Sequence, residues 1–295
     1  MSYVKILKRK NLINPPKFVS DELQYEVITG SFSYGCSDDL SDIDLYGFCI
    51  PPKDVIFPHL RGEIQGFGKQ TQQFNNYQEH HIKDTDANQE YDVDIYNIIK
   101  YFQLVMLNNP NMIDSLFVPQ RCVTHCTQVG NIVRENRKLF LHKGSFHKLK
   151  GYAYSQIHKI KNKKPIGKRL ELIKKFGFDT KFASHTVRLL NQAEQILTEG
   201  DLNLERNREQ LKAIRRGEWT EEQIIEYFET KERELEGVYS RSTLPHSPDE
   251  AVIKQILLNC LEQHFGTLDK MVHIQPKTEQ IINELKLIVD KYDRV

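Results

Sequence analysis

The hydrophobic periodicity of the chain changes near residue 128, and that change restricts the fold more than any other feature. Upstream, short strand-like runs alternate with turns at 25–29, 43–50, 63–67 and 91–96. Pro51-Pro52 stops the second run. The stretch 98–107 then reads helical and ends at Asn108-Asn109-Pro110, as helices commonly do before proline. Downstream, apolar residues recur at helical spacing. Helices are expected over 128–140, 146–162, 166–176, 181–198, 204–215, 220–238, 248–264 and 276–291. The class is therefore α+β, with a strand-containing domain over 1–127 and a helical domain over 128–295. A chain of 295 residues suits two domains, because single cores usually stop growing beyond roughly 250 residues.

Composition removes several function classes. Charged residues make up 27% of the chain and the mean hydropathy is −0.55, which excludes a membrane protein, and the aromatic content of 10% argues for a packed core rather than disorder. The first residues, MSYVKILKRKNLINPPKF, are basic but lack the apolar segment of a secretory signal, so an intracellular, cytoplasmic protein is expected. Five cysteines without framework-like spacing suggest reduced thiols, and Cys122-Val-Thr-His125-Cys126 lacks the second ligand pair of a zinc finger. Net charge is +1, but its distribution is uneven. Between 143 and 175 there are eleven Lys or Arg against one acid, Glu171.

The stretch 28–48, ITGSFSYGCSDDLSDIDLYGF, carries the chemistry. A strand holds residues i and i+2 on one face, so Asp42 and Asp44 point the same way while Ile43 and Leu45 point the other. Two carboxylates placed that close repel unless a cation sits between them. Mg²⁺ suits the position, since it is hard, prefers oxygen and keeps coordination sites open for water and phosphate. Upstream, Gly30-Ser31 and Gly35 let the backbone approach a ligand and offer N–H groups and a hydroxyl to phosphate. A solvated hairpin is the plain alternative, since Gly, Ser and Asp are common turn formers.

The register Gly30-Ser31, Gly35, Ser41-Asp42-x-Asp44, followed by an apolar strand, resembles the signature of the polymerase-β-like nucleotidyltransferase superfamily, G-S-x3-G-x5-S-D-x-D. That resemblance implies a third carboxylate on a later strand, for which Tyr91-Asp92-Val93-Asp94-Ile95-Tyr96 offers Asp92 or Asp94. The spacing Asp92-x3-Tyr96, then Asn109-Pro110-Asn111, Leu116-Phe117, Gly151-Tyr152-Ala153-Tyr154-Ser155-Gln156, His185-Thr186-Val187-Arg188-Leu189-Leu190, Glu199-Gly200 and Ile214-Arg215-Arg216-Gly217-Glu218-Trp219 look like a narrower family. This is the predicted nucleotidyltransferase family of RNA-repair operons and phages, and its pattern selects Asp92.

The resemblance implies a small mixed-sheet catalytic domain joined to an all-helical substrate-binding domain, with the nucleotide between them. Asp42, Asp44 and Asp92 would be catalytic and would hold two Mg²⁺ ions, for which Mn²⁺ can substitute, with Asp94 as the alternate to Asp92. Gly30, Ser31, Ser33, Tyr34, Gly35 and Ser41 would hold the phosphates of an NTP, with ATP favoured. In the helical half, Tyr152, Gln156, Lys159 and Lys163 form one stripe and His185, Arg188 and Gln192 another, facing nucleotide or acceptor. The basic 143–175 region would meet RNA, with tRNA as one acceptor. A protein or small-molecule hydroxyl is the alternative acceptor, and a non-catalytic RNA-binding module is the third reading.

Overall fold

In the computed structural model, residues 2–37, 41–64, 66–162 and 168–266 are described. The expected 276–291 helix, Lys163 and the middle of the basic region fall outside them. Two short helices open the chain, α1 (Tyr3–Arg9) and α2 (Lys17–Asp21). Then come β1 (Leu23–Ile28), α3 (Gly30–Ser33), β2 (Ile43–Cys49) and α4 (Lys53–Ile56). A hairpin of β3 (Asn76–Asp84) and β4 (Gln89–Asn97) leads into α5 (Ile98–Met106), α6 (Pro110–Phe117) and β5 (Val123–Cys126). The rest of the described chain is helical: α7 (Gln128–Glu135), α8 (Gly144–Asn162), α9 (Lys168–Phe176), α10 (Thr180–Glu199), α11 (Arg208–Arg215), α12 (Glu221–Arg241) and α13 (Glu250–Phe265).

Among the described residues the five strands form one mixed sheet in the order β3-β4-β2-β1-β5. Only β2 and β4 run parallel; the other neighbours are antiparallel. Strand alternation splits β2 and β4 between two cores. Ile43, Leu45, Cys49, Val93 and Ile95 turn toward α1 and α2, whereas Tyr46, Phe48 and Tyr96 turn toward the helical part. Glu26, wholly buried on β1, anchors α1 by accepting from the Ser2 hydroxyl and from the Tyr3 and Val4 N–H groups at 2.7–2.9 Å. The larger core runs without a break from Tyr25 to Leu261, across residue 127.

Helix α10 is the axis of the helical part. Asp179 caps it by accepting from the Lys181 and Phe182 N–H groups at 3.0 Å, Gly200 ends it with a left-handed φ of 58°, and most of its side chains are buried. Helix α13 returns to the sheet side, where His264 approaches Glu22.

One expectation needs correction and another is extended. The described residues of the 63–67 run join no sheet: Ile64 and Phe67 form an isolated bridge and are exposed. Asn109-Pro110 ends α5 as expected, but it also starts α6, with Asn109 as the cap and Pro110 in the first turn, where its missing N–H costs nothing. The 122–126 stretch becomes β5. His125 bonds the Leu23 carbonyl at 3.0 Å, Cys126 the Asn131 amide oxygen at 3.1 Å, and all five thiols are free. No described helix is long and apolar enough to cross a membrane.

Candidate active site

The site begins where β1 ends. The Thr29 N–H donates to the Asp44 carbonyl at 2.8 Å, and the chain then turns through Gly30, with φ +63°, into α3. Gly30 lies so close to Asp44 that a Cβ there would collide with Asp44 Oδ2. Glycine is required both by the left-handed backbone and by this approach. Gly35, with φ +65°, presses on α11 in the same manner: a Cβ would fall 2.6 Å from Arg208 Cδ. The half-buried Ser31 hydroxyl has no partner among the described residues, whereas Ser33 is buried and donates to the Gly30 carbonyl at 2.9 Å.

The parallel pairing of β2 with β4 sets Asp44 opposite Asp92 and Tyr46 opposite Asp94. These two aspartates of β4 live differently. Asp94 is buried and accepts from the Gln78 amide at 3.1 Å, from the Asn76 amide at 3.4 Å and from the Tyr46 and Tyr96 hydroxyls. Asp92 is half-buried. Its Oδ1 accepts the His81 N–H at 2.8 Å, and its Oδ2 stands 3.4 Å from His80 Nδ1. His81 sits at a bulge of β3 with a left-handed φ of 57°, an uncommon backbone for a residue with a Cβ.

The Asp44 carboxyl has no hydrogen-bond donor among the described residues. Burial first, then the charge of Asp92, pushes its carboxyl up from 3.8 to about 6; Asp42 adds to the rise, while Lys181 and His80 oppose it. A desolvated carboxylate with carboxylate neighbours is an arrangement that a hard divalent cation would stabilise. The acids lie in register without closing into a cage: among the described residues, no three His, Cys, Asp or Glu side chains converge on a preformed metal site.

The helical residues singled out from spacing behave otherwise. Arg188 is buried, with Nη1 donating to the Tyr34 hydroxyl and to Asp114 Oδ2, each at 2.6 Å. Tyr34 is buried with it, so the structure brings these two side chains to each other. Gln156 is buried and donates to Ser155, Lys159 lies 5.6 Å from the Phe182 ring centroid, and Tyr152 packs on the core. Burial, helped by Arg188, Arg215, Lys181 and Arg169, holds the His185 imidazole well below its ordinary value and therefore neutral. Gln89 donates to the Ser41 carbonyl at 2.9 Å.

Sequence reasoning passed over Lys181, His80 and His81. Lys181 lies one turn before His185 on the same stripe of α10, so carrying that stripe one step toward the N-terminus finds it. The histidines had no such signal, because a bulge is not written in the alternation of a polar strand.

A mixed sheet that sets two aspartates side by side after a Gly-Ser turn, with a helical part opposite, defines a nucleotidyltransferase of the polymerase-β type. The chain belongs to the RNA repair pathway DNA polymerase beta family, RlaP, whose model matches residues 8–283. Among solved structures it is similar to a nucleotidyltransferase-like protein from Exiguobacterium sibiricum 255-15, with 10% identity and a TM-score of 0.29 over 88% of this chain and 73% of that one. No curated protein matches it.

Proposed function

We propose that the protein transfers a nucleoside monophosphate from an NTP, ATP being favoured, to the 3′ hydroxyl of an RNA such as a tRNA, releasing pyrophosphate. The observation that carries this reading is the pairing of Asp44 with Asp92: a carboxylate with no donor among the described residues, held against a second acid, beside a turn whose half-buried Ser31 hydroxyl has no partner among them either. An RNA acceptor is supported by the repair pathway in the family's description and by exposed basic side chains of the 143–175 region, including Lys148, Lys174 and Lys175.

Asp42, Asp44 and Asp92 would hold Mg²⁺, with Mn²⁺ as a substitute. Of the two aspartates on β4, Asp92 is the one for this task, because Asp94 is already engaged by two amides and two hydroxyls. When bound, the metal supplies Lewis-acid activation of the attacking hydroxyl and neutralises charge on the phosphates. The chain's own groups do the rest. The α3 N–H groups and the Ser31 hydroxyl cradle the β and γ phosphates, and Gly30 brings that cradle against Asp44. The acceptor oxygen forms a bond to the α-phosphorus as the bond to the β-phosphate oxygen breaks, and pyrophosphate departs. Asp92 would orient the acceptor hydroxyl and take its proton.

Incubating the protein with each labelled NTP, Mg²⁺, and either bulk RNA or RNA-free lysate tests the acceptor directly. Label on RNA 3′ ends is expected. Label confined to protein or to small molecules would replace RNA as the acceptor.

A further inference from the structure

Beneath the cradle, outside the catalytic face, lies a buried polar cluster that joins three separate elements. Tyr34 closes α3, Asp114 comes from α6, and Arg188 and Gln192 come from α10. All four are at most 6% exposed. The Tyr34 hydroxyl donates to Asp114 Oδ2 at 2.5 Å, Arg188 Nη1 donates to both of them and to Gln192 Oε1 at 3.2 Å, and Gln192 Nε2 donates to Asp114 Oδ1 at 2.8 Å. The Arg188 guanidinium also stacks 4.3 Å from the Tyr34 ring centroid.

The backbone on both sides of Tyr34 is gripped in the same way. Arg121 Nη2 donates to the Phe32 carbonyl at 2.9 Å, and Arg215 Nη1 from α11 donates to the Cys36 carbonyl at 2.7 Å. Three arginines thus hold the 32–36 turn, while its other end, Gly30, rests on Asp44. Stability alone does not explain the arrangement. A buried ion pair seldom outperforms well-packed apolar side chains, and here Nε of both Arg188 and Arg215 is left buried without an acceptor among the described residues.

We propose that Arg188, with Asp114 and Gln192, is a positioning unit for nucleotide binding: it locks Tyr34 and so fixes α3 at the distance from Asp44 that a triphosphate requires. The helical part then sets nucleotide affinity through the turn, with Arg188 never touching the nucleotide. This rests on the reading of α3 as the phosphate cradle.

A thermodynamic cycle tests it, with Tyr34→Phe, Arg188→Lys and the double variant. The readouts are equilibrium binding of a fluorescent ATP analogue with Mg²⁺, thermal melting, and separate kcat and KM. Tyr34→Phe keeps the ring and its packing and loses only the hydroxyl. Each single variant is expected to weaken binding about tenfold by misplacing the cradle, and the double variant no further, because both break one unit. KM moves more than kcat. Should Arg188→Lys fail to fold, Gln192→Met, which removes only the amide on Asp114 Oδ1, takes its place. Wild-type binding by Tyr34→Phe beside a loss in Arg188→Lys would overturn the inference and make Arg188 a direct ligand; additive losses would overturn it too. Ser31→Ala separates the two levels. If it binds as wild type, the cradle reading fails and takes this inference with it; if it weakens binding while Tyr34→Phe does not, only the positioning unit is lost.

Discussion

At the sheet, Asp44 on β2, Asp92 on β4 and Asp42 just before β2 stay partly open to solvent, and the Asp44 carboxyl has no donor among the described residues. On α10, Arg188 and Gln192 are buried and bonded to one another and to Asp114. Both sets were singled out by spacing, two residues apart on a strand or three and four apart on a helix. The outcomes differ because of what each period reports. Alternation on a strand whose other face is apolar fixes the side to which the polar residues turn. A helical stripe says which residues share a face, but not whether that face meets solvent, substrate or another buried element. Uncommitted polar groups are free for ligand, and committed ones hold shape.

The sharpest way to break that contrast is to remove the sheet acids. Asp42→Ala with Asp44→Ala should lower nucleotide incorporation by about 10³-fold or more, the scale of losing the groups that stabilise transition-state charge, while circular dichroism stays native. Substantial residual transfer would show that the open carboxylates are not the working ones. The committed set should fail differently. Asp114→Ala strands the Arg188 guanidinium in the core, which should cost about 3–5 kcal/mol of unfolding free energy. A urea titration showing unchanged stability would mean that the cluster is hydrated or loosely held.

Between β4's two aspartates the contrast can be made finer. Asp92→Asn should reduce kcat by about 100-fold with little change in melting temperature. Asp94→Asn should stay within about tenfold in kcat but lose about 1–3 kcal/mol of stability, because its new amide N–H₂ faces the Gln78 and Asn76 donors. If Asp94→Asn is the slower enzyme, the third carboxylate has been misassigned.

The parts of this picture that were legible in the sequence share one cause. β2 and β4 bury one face against α1 and α2, while the other carries the aspartates beside Tyr46, Phe48 and Tyr96, so the chemistry of the two faces alternates cleanly. α10 has the periodicity and caps that declare a helix. β3 was missed because NYQEHHIKD buries only Ile82 and Asp84, and a sheet edge makes little demand on composition. The parallel register that brings Asp92 to Asp44 is a long-range pairing that no local window contains. Asp114 sits in PNMIDSLF as a lone acid among apolar residues. That is a legible anomaly, since a buried charge demands a partner, but its partner lies 74 residues away.

The smallest effect reads the desolvation of Asp44 directly, without nucleotide. Burial and the charge of Asp92 raise its carboxyl from 3.8 to about 6 in the folded protein. Between those values the folded state holds a proton that the unfolded state has released. The stability of the metal-free protein therefore falls as pH rises through that window and levels off above it. Asp44→Asn cannot ionise and escapes this loss. Its advantage over wild type should be absent below the window and reach on the order of 2 kcal/mol above it, a shift of about two pKa units at 1.36 kcal/mol each, reduced for the part of the side chain that water reaches. Urea denaturation in EDTA on both sides of the window measures it. If the two proteins lose stability in parallel, Asp44 is hydrated, and the difference between open and committed polar groups does not extend to the residue that most needs it.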